Sequence, residues 1–216
     1  MPYKIIVAVF ILSTLGLATC VAAQESGIVK LPAPKTSGGK ALMDCLRERQ
    51  SLREFSPDKL SIELLSSLLW AADGINRSES GKRTAPSANN VQNIDLCLAT
   101  ADGLFLYLPK EHALRKIFGD DIRAATGTQG FVKDVPLDLV YVADYSKMSG
   151  RSDEDKRFYS GTHTGLISQN VYLFCASEGL ATVVRGLLDR EALAKTMKLR
   201  PDQHVTFAQS VGYPKK

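Results

Sequence analysis

Arg49, Ser51 and Arg53 stand two residues apart in the segment Arg49-Gln50-Ser51-Leu52-Arg53-Glu54-Phe55. In extended backbone, residues i, i+2 and i+4 face the same way, so this spacing sets two guanidinium groups and a hydroxyl on one face. Such a face offers the charge-assisted, bidentate donors that a phosphate takes. On spacing alone, a solvated basic face is the plainer reading. A second segment, Pro86-Ser87-Ala88-Asn89-Asn90-Val91-Gln92, is rich in amides, each carrying both donor and acceptor. On its residues alone it reads as a polar surface loop. A third pair of segments, Ser168-Gln169-Asn170 and Glu178-Gly179-Leu180, lies in and at the end of a long helical pattern, where the glycine is first of all a helix stop. The chain closes on Gly212-Tyr213-Pro214-Lys215-Lys216, a basic tail. His112, His163 and His204 show no metal-ligand spacing, and His163 is expected to be structural. Neither a Ser/His/Asp order nor a phosphate-binding or dinucleotide glycine fingerprint is present.

The 216 residues suit a single domain, because no long linker divides them. The apolar share of 44% is enough for a core, and the net charge of +4 is small and unclustered, which argues against a nucleic-acid partner. Residues 1–23 read as a signal peptide, with Lys4 as a thin positive start, Ile5 to Leu17 as an apolar run too short for a comfortable membrane span, and cleavage after Ala23. Export to the periplasm follows, with a lipid anchor at Cys20 as the alternative. Cys45, Cys97 and Cys175 are odd in number and are expected to be buried free thiols.

The elements that must position these segments are read from pattern. Residues 24–39 form an extended or mobile leader, and residues 40–216 form the domain. A helix beginning at Leu42 runs into the Arg49–Phe55 turn. Ser61 caps a second helix with Leu64, Leu65, Leu68, Leu69 and Ala72 as its apolar stripe, ended by Gly74. Residues 76–93 form a long polar loop. Ile94, Leu96 and Leu98 alternate as a strand, and Asp102-Gly103 turns it into Leu104–Leu108. Glu111–Phe118 and Asp120–Ala125 read as short helices, and Leu137–Ala143 as a buried strand. Ser149–Asp155 reads as a loop and 156–178 as a long helix. Thr182–Arg185 is a strand, Asp189–Met197 a helix capped by Asp189, and Val205–Val211 the last strand. Helices interleave with an antiparallel hairpin, which makes the fold class α+β.

Together the segments resemble the nitroreductase family, from about Leu42 to the C-terminus. The Arg-x-Ser-x-Arg segment, the Pro-Ser-x-x-Asn-x-Gln loop, the Glu-Gly turn and the terminal Gly-Tyr-Pro carry the likeness. The resemblance implies an α+β nitroreductase-like fold with a mixed or antiparallel central sheet flanked by helices, FMN as cofactor, and a homodimer with two sites at its interface. It assigns Arg49 and Ser51 to phosphate or ribityl, Gln50 to the cofactor site beside them, and Arg53 to the N1–C2=O edge of the ring. It assigns Asn90 to the pyrimidine edge, Pro86 and Ser87 to the cofactor of the partner subunit, and Glu178 and Gly179 to the turn along the ring, with a backbone N–H directed at N5. Lys215, Lys216 or Arg185 is implied at the phosphate. Asn93-Ile94 replaces the Pro-Trp that the family often has after the loop, and the tail ends early. The implied activity is that of an FMN-dependent oxidoreductase, passing hydride or electrons by a ping-pong mechanism to a nitro, quinone or related acceptor. The likeness is nearest to the short branch related to the thiazole/oxazole-forming dehydrogenases. NAD(P)H is the implied donor if the protein is cytoplasmic. The alternative is a flavin-binding or degenerate module of this fold without turnover.

Overall fold

The structure, a computed structural model, describes residues 27–215, and the signal-peptide expectation lies outside the described residues. A single sheet organises the chain. Its strands are β1 (Ile28–Lys30), β4 (Ile94–Thr100), β5 (Gly103–Leu108), β6 (Ala113–Phe118), β7 (Leu137–Asp144), β8 (Ala181–Arg185) and β9 (Gln203–Gly212), in the order β1-β6-β5-β4-β7-β9-β8. Every neighbouring pair is antiparallel. A two-stranded ribbon, β2 (Ile75–Arg77) and β3 (Lys82–Arg83), stands apart from it.

Strand β7 lies at the centre and is buried along its whole length. Both of its faces are covered, so its sequence is a continuous apolar run rather than an alternation. Leu137, Leu139, Tyr141 and Ala143 face the helices α2 (Ile62–Asp73) and α3 (Asp153–Glu178), which contribute Leu68, Leu69, Ala72, Ile167, Val171 and Cys175. Val140 and Val142 face the other way, toward Leu193 and Met197 at α4 (Arg190–Thr196). Helix α1 (Leu42–Glu48) precedes the arginine segment.

The caps follow the sequence. Ser61 Oγ accepts from Leu64 N, Asp189 accepts from Ala192 N, and Gly74 ends α2. Helix α3 starts three residues earlier than its apolar pattern shows, because Ser152 accepts from Asp155 N and recruits the acidic residues 153–155 to the first turn.

Two expected helices are corrected. Residues 113–118 form β6, paired with β5 on one side and β1 on the other. Arg123–Thr126 is a single 3-10 turn, held by Asp121 Oδ1 accepting from Arg123 N. The leader, within its described part, is extended and docked. It supplies edge strand β1, buries Leu31, and donates Lys35 N–H to Ser67 Oγ at 3.0 Å and Lys40 N–H to Ser177 Oγ at 3.1 Å. The domain thus begins ahead of residue 40. The expected polar loop 76–93 contains the β2–β3 ribbon and a 3-10 turn at Ala88–Asn90. Cys45, Cys97 and Cys175 are buried free thiols, and burial raises the Cys97 thiol to about 12. Among the described residues, no helix is long and apolar enough to cross a membrane.

Candidate functional site

After α1 the chain turns at Arg49 (φ −55°, ψ 120°) and runs along the C-terminal strands. Leu52 N–H donates to Thr182 O at 3.0 Å, Ser56 N–H to Tyr213 O at 2.9 Å, and Lys215 N–H to Glu54 O at 3.2 Å. Phe55 and Pro214 form an antiparallel bridge. The arginine segment and the terminal Gly-Tyr-Pro-Lys are therefore clasped together although they lie at opposite ends of the domain.

Helix α3 supplies the floor. Tyr172, Cys175, Ala176 and Gly179 are spaced three, four and seven apart, which is one helical face, and all four line a cavity of about 430 Å³ with Arg49, Gln50, Leu52, Lys40 and Pro214. The Tyr172 hydroxyl accepts from Val184 N at 2.9 Å and lies 2.8 Å from Ser51 Oγ. The Arg49 guanidinium sits over the Tyr172 ring, 5.3 Å from its centre. Neither Arg49 nor Arg53 enters an ion pair among the described residues. Two guanidinium groups without carboxylate partners beside an open cavity fit an anionic ligand.

The expected single face is only partly realised. Arg49, Gln50 and Leu52 line the cavity, whereas Ser51 reaches it through Tyr172 and Arg53 is exposed beside it. The turn after α3 also differs in detail. Gly179 takes the left-handed conformation (φ 70°), and both its N–H and that of Leu180 point to Cys175 O. These two amides serve the helix end, so a ring atom finds no free donor in either of them. Glu178 accepts from Ser177 Oγ at 3.0 Å. Lys215 is exposed at the tail. Arg185 is unavailable to a phosphate, being buried and paired with Asp138 at 2.7 Å, with further bonds to Thr126 and Ser210.

The Pro86–Gln92 loop is not brought to this cavity within one chain. It packs against the N-terminal half of α3, where Ala88 N–H donates to His163 Nε2 at 2.8 Å. His163 lies about 14 Å along the helix axis from Tyr172, at 1.5 Å per residue. The loop is built tightly. Ser87 Oγ accepts from Gln92 N at 3.0 Å, Gln92 Nε2 donates to Asn90 Oδ1 at 3.0 Å, and Asn89, Asn90 and Gln92 all have positive φ (54°, 55° and 47°). Left-handed conformations in side-chain-bearing residues cluster at functional segments.

The brace behind the loop was not legible beforehand. Asn93, fully buried in place of the family's proline, accepts from His163 Nδ1 at 2.6 Å and donates to Ser160 Oγ at 2.8 Å. His163 is thereby fixed neutral, with Nδ1 protonated and Nε2 accepting. Burial first, then Arg151, hold its pKa below the ordinary 6.5. Next to it Asp73 pairs closely with Arg83, and burial pushes the Asp73 carboxyl up to about 7 despite that partner. Of the unforeseen residues, only Tyr172 left a sequence signal, in its spacing with Cys175, Ala176 and Gly179.

The profile described as the Nitroreductase family matches residues 46–213. A protein of Methanocaldococcus jannaschii, provisionally named a nitroreductase, is 30% identical over 170 residues, 74% of this chain and 85% of that protein. A crystal structure from Ralstonia eutropha, provisionally named likewise, superposes with a TM-score of 0.85 at 37% identity over 100% of both chains. The Escherichia coli microcin synthetase McbBCD complex gives a TM-score of 0.68 at 20% identity, over 96% of this chain and 85% of that one, a likeness of fold alone.

Proposed function

Because the chain belongs to the nitroreductase family, and so to oxidoreductases that work with a flavin, we propose that it is an FMN-dependent oxidoreductase acting as a homodimer. The observation that carries this reading is Arg49. It is an unpaired cation stacked on Tyr172 at a cavity of about 430 Å³, closed by the Gly179 turn on one side and the Pro214 tail on the other. The residues present fit one half of the cofactor. Arg49, Gln50 and Ser51 would hold phosphate and ribityl, Lys215 would reach the phosphate from the clasped tail, and Arg53 would place a cation near the pyrimidine edge.

The other half of the site is the Pro86–Asn90 loop, and a second copy is what brings it into reach. The exposed strip of α3 supports that pairing. Phe158 (67% exposed) and Leu166 (39% exposed) flank Gly161 and Gly165, where an added Cβ would meet nothing within 4 Å. These glycines therefore have no tight neighbour in their own chain and leave room for a second helix. Pro86, Ser87 and Asn90 of that copy would close the ring side.

FMN held there would supply two-electron transfer through N5, alternating between a donor and a small nitro, quinone or related acceptor. The protein's residues bind, orient and exclude water, and no side chain acts as acid or base. The donor is NAD(P)H for a cytoplasmic protein. Residues 1–23 favour export to the periplasm, or a lipid anchor at Cys20, and a different donor there. A second reading, a flavin-binding module without turnover, is favoured by the two amides committed to the helix end. Anaerobic spectroscopy separates the two. The enzyme's visible absorbance bleaches with a stoichiometric reductant and returns on adding a quinone. A bound flavin that bleaches and recovers no faster than free FMN would leave only the binding module.

A further inference from the structure

A separate cavity, of about 450 Å³, lies between the N-terminal half of α3, helix α4 and the first half of β9. Arg157 comes from α3, Arg190 and Glu191 from α4, His204 and Phe207 from β9, and Tyr145 from the turn after β7. No residue that lines it also lines the cavity beside Arg49. Rings make much of its wall. The centres of the Tyr145 and His204 rings are 4.3 Å apart with the planes tilted by 39°, and Phe207 adds a third ring. Such surfaces take a flat ring by offset or edge-on packing. At Gly161 an added Cβ would meet nothing within 4 Å, so α3 presents bare backbone there and the cavity keeps its depth. Gly161 also belongs to the strip on which the second copy is placed, so a ligand here lies at the foot of that contact.

The polar side chains of the cavity fall into two groups. Ser160, Thr206 and Gln203 are already engaged. Ser160 Oγ accepts from Asn93 Nδ2 at 2.8 Å, Thr206 Oγ1 lies 2.9 Å from Thr164 Oγ1, and Gln203 Oε1 accepts from Arg200 N–H at 3.2 Å. The guanidinium groups are not neutralised: neither Arg157 nor Arg190 enters an ion pair among the described residues. Arg190 is aimed in advance, because its Nε donates to Thr206 O at 3.0 Å and its guanidinium lies 5.8 Å from the centre of the Phe207 ring. Those contacts leave its two terminal nitrogens for the fork that a carboxylate takes. A group held in place before binding loses less freedom when the ligand arrives. Lys156, over the Tyr145 ring, is balanced by Asp153 at 3.3 Å. Two cations, Arg157 and Arg190, then face the single carboxylate of Glu191, and a ligand with one negative charge completes the balance. A volume of this size with apolar walls and a few convergent polar groups has the features of a small-molecule site.

We propose that this cavity is a second ligand site, apart from the redox chemistry, and that it takes a flat aromatic monocarboxylate whose ring packs on Tyr145 and His204 and whose carboxylate meets Arg190 and Arg157. The site rests on no assignment of cofactor. The probe is 2-naphthoate, titrated into the purified full chain by calorimetry, with 2-naphthamide as its uncharged counterpart. The wild type binds 2-naphthoate saturably at one per chain. The amide binds about tenfold more weakly or worse, the scale of one lost charge-assisted contact. Arg157→Gln weakens 2-naphthoate and leaves both the amide and the melting temperature as they were, because Arg157 holds no ion pair in the fold. Glu191→Gln removes the opposing carboxylate and tightens 2-naphthoate. His204→Ala takes away half of the ring pair and weakens both probes. Arg49→Ala changes neither, which separates this site from the cavity where the flavin is placed. Absence of saturable binding, or equal affinity for the carboxylate and the amide, overturns the proposal. So does binding that Arg49→Ala weakens while Arg157→Gln does not, or a folded His204→Ala variant that binds both probes as the wild type does.

Discussion

At the scale of single residues, the phosphate-binding claim rests on Arg49 and on the hydroxyl pair Ser51–Tyr172. Replacing both Arg49 and Ser51 by alanine removes a charge-assisted contact and a hydroxyl, each worth about 1.5–3 kcal/mol when the partner is charged. The expected outcome is a weakening of FMN by two orders of magnitude or more, read by titrating flavin into stripped protein, with the melting temperature of the flavin-free form little changed because Arg49 forms no ion pair. Tyr172→Phe is expected to act in the same direction but less, because it frees Ser51 and leaves Val184 N–H without its acceptor. Asp73 gives a prediction in pH. Its carboxyl titrates near 7 in the folded protein against an ordinary value of 3.8. The folded state therefore holds a proton that the unfolded state has lost between those values, and this group's contribution to stability falls as pH rises from about 4 to about 7. The slope is at most about 1.4 kcal/mol per pH unit. His163, held below 6.5, contributes with the opposite sign, so the quantity to measure is the difference between wild type and Asp73→Asn in denaturant midpoints across pH 4–8. Wild-type stability relative to Asp73→Asn should be greatest at pH 4 and fall as pH rises toward 7. The arginine and amide segments stood out in the sequence through the family resemblance and not through spacing, on which a solvated basic face is the plainer reading. The Asn93–His163 brace did not, because its partners are distant in sequence and each alone reads as an ordinary polar residue.

At the scale of elements, local pattern and tertiary pairing compete. Leu114, Ile117 and Phe118 are spaced as on a helix face, yet residues 113–118 form a strand. Pairing with β5, and with β1 over residues 113–115, holds the strand, and alternation is hidden because β6 lies near the sheet edge, with Arg115, Lys116 and Ile117 exposed. Where the pattern met a cap or a buried central strand, as in α2, α4 and β7, sequence and structure agree. One buried contact across elements sets how firmly β7, β8 and β9 hold together. Asp138 on β7 accepts from Arg185 on β8, Ser210 on β9 and Thr126, with the side chains of the ion pair at most 2% exposed. Removing one partner leaves a buried charge uncompensated, which typically costs about 3–5 kcal/mol. Asp138→Asn is therefore expected to lower stability by several kcal/mol in chemical denaturation, while Lys59→Ala, which breaks the exposed pair with Asp102, is expected to change it by about 1 kcal/mol or less.

At the scale of the whole molecule, the Pro86–Gln92 loop packs on the N-terminal half of α3 and the Arg49 cavity on its C-terminal end, and Gly161 and Gly165 have no close neighbour in their own chain. The fold class was legible from the interleaved pattern and the hairpin turn. The distance between the Pro86–Gln92 loop and the Arg49 segment was not, because sequence order says nothing of where two segments pack along one helix. If two copies complete each site, Gly165→Leu on the strip blocks close helix approach. The expected outcome is a smaller species in light scattering and a parallel loss of flavin affinity; a monomer that keeps its flavin would place the whole site in one chain. The central claim is that this protein holds FMN, and the most direct test is the identity and amount of cofactor released from purified protein after reconstitution with a mixture of FMN and FAD. The account predicts FMN by mass spectrometry at about one per chain, with FAD excluded because nothing in the site provides for an adenine. Retention of FAD, or of no flavin at all by folded protein, would contradict it.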